Sequence, residues 1–343
     1  MYVDYNSLEY VVYSWLLPII CVPGVAAAAL SAVVFARMRH SSLEVLLCGL
    51  SLFDVLVLTS AFLIYPAMNA CQNEPDPTES RVCHFFWTST LIAYPLSLIA
   101  QAGSVWTCVA ITFDRFIAVF FPIRKHVWAT PRTSTIVICG VTLFSVLFKL
   151  PAFFEITLNE QGQIAPTSLR TNTNYQKYYM TYMYLFFILL IPWTVIIVLN
   201  GVVIQKVREA YHTHKLLTQA TRGKRESDER KMTVMTIVMT GIFVMCNIPP
   251  AINNIIESYA PQYRERFRHR IPLSTLLVCV NSASNILIYC WFNRHFRRSV
   301  FRLCSSSSFR RSSYTYTTVC KEKTRTSENY IVVPLKPTKQ SIL

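Results

Sequence analysis

The chain has 343 residues, 52% of them hydrophobic and only 15% charged, with a formal net charge of +15. Soluble domains average about 25% charged residues, so this content and a mean hydropathy of +0.35 exclude an ordinary soluble globular protein. A basic balance can signal nucleic-acid binding, but here the charge is segregated between long apolar segments, which argues against nucleic acid as a partner.

A bilayer span needs about 20 mostly apolar residues. Seven segments qualify in chain order: Tyr13–Ala36, Leu43–Ala67, His84–Val119, Ser134–Leu150, Tyr178–Gln205, Met232–Ser258 and Ile271–Phe292. The expected fold class is therefore an all-α membrane protein, a seven-transmembrane helix bundle. The first and third segments are long enough to tilt or to project beyond the bilayer. Residues 1–12 read as a short extracellular N-terminus, 13–292 as the bundle, 293–303 as an amphipathic eighth helix and 304–343 as a disordered cytoplasmic tail. Of the 33 basic residues, 25 fall on the first, third and fifth connections, the final segment and the helix ends facing them, and 8 on the opposite side. Lys and Arg collect on the cytoplasmic side, so the N-terminus is expected outside a plasma-membrane, multi-pass protein. The opening residues lack a basic region before the apolar run, which makes span one the expected insertion signal. No Asn-x-Ser/Thr acceptor occurs, so N-glycosylation is not expected. Seven of the 11 cysteines lie in spans, where packing is the default role. Cys71 and Cys83 flank an outer loop in an oxidising setting and are candidates for a short-range disulfide.

Polar residues inside the spans carry the functional signal, because an ionisable group in the membrane is expensive. Asp54 lies deep in span two. Span seven supplies Asn281, Ser282 and Asn285, with 281 and 285 one turn apart on one face, and Ser104 of span three lies at a matching depth. The cluster reads either as a hydrogen-bonded packing knot or as a cation or proton site. Asp114-Arg115-Phe116 sits where span three runs into a basic loop. Pro249 can kink span six. Beyond span seven, Phe292 and Phe296 sit one turn apart among basic residues, as in a helix lying on the inner leaflet and touching membrane lipids. Cys304 just after it is a palmitoylation candidate. The tail is rich in hydroxyls and poor in aliphatics, so disorder is expected, and Ser341-Ile342-Leu343 could add a strand to a PDZ domain. Asp228-Glu229-Arg230-Lys231 reads by itself as a solvated charge run. No nucleophile–base or metal-ligand spacing occurs, so the chain is not expected to be an enzyme, and no cofactor is expected.

These motifs resemble the rhodopsin-like (class A) G-protein-coupled receptors. Asp114-Arg115-Phe116 resembles the inner end of the family's third helix, Cys246-Asn247-Ile248-Pro249 its Cys-Trp-x-Pro, and Asn285-Ile286-Leu287-Ile288-Tyr289 its Asn-Pro-x-x-Tyr. The resemblance implies an activation switch at Asp114, Arg115, Phe116, Glu229, Asn285 and Tyr289, with Arg115 and Glu229 paired in the resting state. It implies a transmission core of Val105, Pro192, Phe243, Asn247 and Pro249, and a sodium pocket at Asp54, Ser104, Asn281, Ser282 and Asn285, with Na+ as an allosteric ion. Ile123, apolar amid Arg124 and Lys125, is the residue expected to enter a heterotrimeric G protein. Phosphorylation of the tail by a receptor kinase would recruit arrestin.

Strings such as Pro166-Thr167-Ser168-Leu169-Arg170-Thr171-Asn172, Tyr94-Pro95-Leu96 and Pro151-Ala152-Phe153-Phe154-Glu155 further resemble the invertebrate FMRFamide-peptide receptor group. An extracellular peptide ligand ending in amidated Arg-Phe would call for outer acidic residues. Glu155, Glu160 and Glu257 are candidates, with Tyr94, Gln101 and Tyr178 beside them. The basic stretch Tyr263-Arg264-Glu265-Arg266-Phe267-Arg268-His269-Arg270 would instead suit an acidic ligand. Departures are Ala28 for the family's helix-one asparagine, Asn200 for its activation tyrosine, Asn247 for tryptophan and Ile286 for proline. No cysteine lies between Pro151 and Tyr178, so the family's bridge to the second outer loop cannot form. Two alternatives stay open: a chemosensory receptor for small molecules, and an ion-coupled transporter or channel using Asp54.

Overall fold

The structure, a computed structural model, describes residues 5–38, 41–216, 224–259 and 270–305; the side chains of 5–7, 210–216, 224–228, 257–259 and 304–305 are not described. Among the described residues, seven helices are long and apolar enough to cross a membrane: spans one to seven are Leu8–Met38, Ser42–Gln72, Arg81–Phe120, Pro131–Phe154, Tyr175–Glu209, Glu229–Ile256 and Arg270–Phe292. Each contains most of its sequence-derived segment and runs past it, because helices continue beyond the apolar core until a capping residue or a proline stops them.

Local chemistry explains the ends. Span two starts in a capping box: the Ser41 hydroxyl accepts from the Glu44 N–H at 3.3 Å, and the Glu44 carboxylate accepts from the Ser41 N–H at 3.1 Å. Span four opens on Thr130, whose hydroxyl accepts from the Thr133 N–H, with Pro131 in the first turn where its missing N–H costs nothing. Span one enters through a π-helical turn, Val12–Leu16. Pro18 follows immediately and cannot donate to the carbonyl one turn back, which loosens the ladder there. Span five likewise runs as π-helix over Tyr175–Met183 and Leu185–Leu190, then as regular α-helix from Ile191, with Pro192 at the transition.

The main core fills the inner half of the bundle with Phe35, Leu43, Leu47, Leu50, Ile111, Met235, Tyr289 and Phe296. Two glycines set close approaches. A Cβ on Gly103 would fall 2.3 Å from Phe53 Cε1, and one on Gly24 would fall 2.9 Å from Ala283 Cβ. Span seven ends at Phe292, and the amphipathic helix follows as Arg294–Ser305. Asn293 caps it, its Oδ1 accepting from the Phe296 N–H at 3.0 Å.

The second outer loop forms a hairpin. Strand β1 (Ile156–Leu158) pairs antiparallel with β2 (Ile164–Pro166), Leu158 opposite Ile164. Gly162, at φ 74°, supplies the left-handed turn conformation, and Asn159 Oδ1 accepts from the N–H groups of Gln161 and Gln163. Three-residue strands are too short to show alternation in a sequence. Cys71 and Cys83 are disulfide-bonded with Cα atoms 4.8 Å apart. Trp87 buries the bridge, and Leu158 and Ile164 pack on it. The hairpin is thus attached to the tops of spans two and three by packing rather than by a covalent link.

Candidate functional site

At the inner end of the bundle a cavity of about 680 Å³ is lined by Ser42, Glu44, Arg115, Lys125, His126, Glu229, Asn293, Arg294 and His295 among others. Arg115 forms part of its wall and is only 4% exposed. Its guanidinium is turned onto the adjacent Asp114, with Nε donating to Oδ2 at 3.0 Å. Asp114 also accepts from the Ser42 hydroxyl of span two, which lies 2.6 Å from the Ser134 hydroxyl of span four. Span three is therefore held to spans two and four at its charged end. The sequence offered no sign of the two serines beyond their position next to basic loops.

The expected Arg115–Glu229 pair is not formed. Glu229 instead accepts from Lys125 at 2.6 Å. Lys125 belongs to the second inner loop, where a single helical turn, Lys125–Trp128, presents the ammonium toward span six. Asp114, one residue from Arg115, takes the guanidinium first. Ile123 on the same loop is 87% exposed. Phe116 lies on the opposite side of span three, stacked on Phe120 at 4.7 Å.

In the middle of the bundle, Asn285 Nδ2 donates to Asp54 Oδ2 at 2.9 Å, and Ser282 lies beside the same carboxylate. Asp54 Oδ1 is buried with no hydrogen-bond partner among the described residues. Ser104, Asn281 and Ser282 line one small cavity beside this cluster. A carboxylate with a free oxygen amid amide and hydroxyl oxygens has the donor chemistry that a hard cation prefers. These residues fit the sodium that the sequence resemblance implies.

Tyr289 is fully buried among Phe35 at 5.0 Å and Phe296 at 5.5 Å, and its hydroxyl donates to Met239 Sδ at 3.7 Å. Phe35 and Phe296 are themselves 4.8 Å apart. The next residue of span six after Met239, Thr240, accepts from Asn200 Nδ2 at 2.8 Å. Span six is thus gripped from spans five and seven at neighbouring residues. Val105 and Phe243 share the main core, Pro192 is buried in span five, and Asn247 Nδ2 donates back to the Phe243 carbonyl at 2.8 Å. That bond uses the amide within its own helix, next to Pro249, where the ladder lacks a donor.

The outer half holds a cavity of about 240 Å³. It shares Val57, Gln101, Pro250, Asn254 and Val278 with the smaller cavity that reaches Phe243, Asn247, Asn281 and Ser282. Gln101 lines both. Among the described residues the walls carry no charged group; their polar side chains are Tyr65, Ser97, Gln101, Asn253, Asn254, Ser274 and Thr275. Asn253 donates to Ser274 at 2.6 Å and Asn254 to Tyr184 at 3.0 Å.

Three of the expected ligand contacts, Tyr94, Glu155 and Tyr178, are corrected. Glu155 is 2% exposed and already occupied. Its carboxylate accepts from Arg170 at 2.8 Å, Tyr94 at 3.0 Å and Tyr175 at 2.8 Å, and the Arg170 guanidinium also donates to the Tyr94 hydroxyl at 2.9 Å. Glu155 and Tyr94 therefore build a clamp between span three, the exit of span four, the outer loop and the start of span five. Sequence reasoning missed Arg170 and Tyr175 as members; a loop holding two cations, Arg170 and Lys177, and two carboxylates, Glu155 and Glu160, was the available signal. Tyr178 is 57% exposed, packed on Tyr182, and does not line the cavity. Glu160 is exposed beside the hairpin turn. The side chains of Glu257 and Cys304, the third outer loop up to His269 and the tail beyond Ser305 lie outside the described residues.

Seven spans enclose an inner cavity walled by Arg115 and an outer cavity whose described walls are neutral. Residues 26–289 match the family described as 7 transmembrane receptor (rhodopsin family); the chain belongs to this family, whose members are signalling receptors and not enzymes. It is 30% identical over 295 residues to FMRFamide peptide receptor frpr-18 of Caenorhabditis elegans, covering 82% of this chain and 66% of that protein. It is 27% identical over 317 residues to the FMRFamide receptor of Drosophila melanogaster, covering 85% and 54%. Somatostatin receptor type 1 of Rattus norvegicus is 23% identical over 308 residues, covering 86% and 72%. The matched region thus spans just under two thirds of the first relative and about half of the second.

Proposed function

We propose that the chain is a plasma-membrane receptor for a neuropeptide of the FMRFamide kind, which passes extracellular binding to a heterotrimeric G protein on the cytoplasmic side. The inner cavity walled by Arg115 carries this reading. It is large enough to take a partner's helix end, it is bordered by Lys125, His126, Arg294 and His295, and the apolar Ile123 stands beside it. The relatives named as FMRFamide receptors support the ligand class. Small-ligand sites run to about 300–1,000 Å³, so the outer cavity of about 240 Å³ suits the end of a peptide. Among the described residues its walls give no anchor for the arginine of an Arg-Phe-amide, which would lie above the cavity.

Agonist and G protein each favour a bundle with span six displaced at its inner end. Displacement would break the Lys125–Glu229 and Asn200–Thr240 contacts and free Arg115 from Asp114. Asp54, Ser104, Asn281, Ser282 and Asn285 would hold sodium, which supplies positive charge at the carboxylate and biases the resting state. Receptor kinase and arrestin at the tail, a PDZ partner at Ser341-Ile342-Leu343 and lipid contact through the amphipathic helix rest on the sequence. Co-precipitation with and without residues 306–343 separates the tail partners from the rest.

The test is a peptide screen in cells expressing the full chain and a promiscuous G protein, with and without sodium. Amidated Arg-Phe peptides should evoke a second-messenger response that Arg115→Ala abolishes at unchanged surface expression. Sodium should weaken agonist potency in the native chain and not in Asp54→Asn. A ligand-independent current or uptake that Asp54→Asn removes would sink the receptor reading.

A further inference from the structure

Cys21 of span one and Cys279 of span seven are buried in one apolar cluster with Leu17, Leu58 and Ala61, where the two thiols interact with each other. The backbone geometry beside them explains the pairing. One turn further along both helices, Gly24 meets Ala283 so closely that a Cβ on Gly24 would lie 3.6 Å from the Ala283 Cα. Small residues let membrane helices approach in this way. Cys21 precedes Gly24 by three residues and Cys279 precedes Ala283 by four, so both thiols lie on the contacting faces. The contact brings the two helices together one turn from the thiols, and a disulfide needs such an approach, with Cα atoms about 4.4–6.8 Å apart. Cys48 differs, because its thiol is engaged by the Ala32 carbonyl at 3.5 Å. Cys279 also lines the outer cavity, which gives small molecules from outside a route to it.

We propose that Cys21 and Cys279 are an oxidisable dithiol, whose conversion to a disulfide staples span seven to span one along the wall of the outer cavity. The oxidant is a small-molecule disulfide entering through that cavity. The Cys279 sulfur loses its proton as it attacks, displaces one small thiolate and forms a mixed disulfide. The Cys21 sulfur then attacks the Cys279 sulfur and releases the second small thiol. The pair loses two electrons and two protons, and the reagent leaves as two thiols. The staple fixes the outer turns of the helix that carries Asn281, Ser282 and Asn285, and so restrains the bundle in its resting form. Formation of the bridge is independent of the receptor reading; its effect on signalling rests on that reading.

The full chain, carrying a protease site inserted between residues 217 and 223, is treated in membranes with 2,2′-dithiodipyridine, cleaved and run on a non-reducing gel. Cys21 and Cys279 lie on different fragments. The fragments should migrate together, separate after reduction, and separate without reduction in Cys21→Ser and in Cys279→Ser. Mass spectrometry of the native chain should find the Cys21–Cys279 linked peptide, so the result does not depend on the variants folding. Fragments that part after oxidation of the native chain, or that stay linked in either single variant, would overturn the bridge. In cells that respond to peptide, the same treatment should lower the response of the native chain and leave that of Cys21→Ser unchanged. An undiminished response with the bridge formed would overturn the restraint while leaving the peptide-receptor reading intact.

Discussion

Glu155→Gln should release the second outer loop. The carboxylate is buried and accepts three hydrogen bonds, of which the one from Arg170 is charge-assisted at 2.8 Å. Removing one partner of a fully buried ion pair costs about 3–5 kcal/mol. Arg170 keeps about a third of its side chain in solvent, at 35%, so water takes over part of its solvation. The glutamine oxygen can still accept from the two tyrosines. The loss is therefore close to that of one hydrogen bond to a charged group, about 2 kcal/mol, or roughly a 30-fold rise in the open population of the loop. Amide hydrogen exchange on the solubilised chain reads this directly, because local opening sets exchange in folded proteins. The reporting amides are Thr167, bonded to the Glu155 carbonyl at 3.0 Å, and Asn159, bonded to the Gln163 carbonyl at 2.8 Å. Both should exchange about 30-fold faster, while amides inside spans two and three stay unchanged. Unaltered exchange at Thr167 would refute the clamp and leave packing on Cys71–Cys83 as the sole tether.

Two further substitutions test the bundle. Gly103→Ala puts a methyl 2.3–2.7 Å from three atoms of the Phe53 ring; overpacking costs about 1–3 kcal/mol, so the melting temperature in detergent should fall by several degrees. Gly140→Ala, with nothing within 4 Å of the added carbon, should be neutral or stabilising, and equal effects at the two sites would contradict the packing. For the inner face, the Lys125–Glu229 pair is 19% and 44% exposed and worth at most about 1 kcal/mol. Glu229→Gln and Lys125→Ala should raise basal signalling by the same factor, no more than about fivefold, and the double variant no further. A clearly larger rise in Glu229→Gln alone would return Glu229 to Arg115.

The seven spans could be read from sequence because apolar length is a local property, and Asp54 with Asn285 because a buried charge in a membrane demands a partner at matching depth. Choice of partner was less legible. Glu229 has Arg115 and Lys125 as candidate cations, and only the turn at Lys125–Trp128 decides between them. Glu155 looked like a free acid for a cationic ligand because Arg170 and Tyr175 are distant in the chain and meet it only when the hairpin folds back. The hairpin itself depends on Gly162 and Asn159 and on docking against a disulfide, none of which leaves a periodic trace. Asn200 was marked only as a departure; its bond to Thr240 shows that a short amide can reach the same helix from span five.

The ring trio at the inner end of the bundle carries a mechanical consequence. Phe35, Tyr289 and Phe296 come from span one, span seven and the amphipathic helix, and each is fully buried against the other two. Interiors packed at this density transmit displacement rather than absorb it. Tyr289 cannot turn without expelling a ring that belongs to the amphipathic helix. Whatever lifts, tilts or pulls that helix therefore moves the tyrosine as well, so a load applied to the short helix is felt inside the bundle.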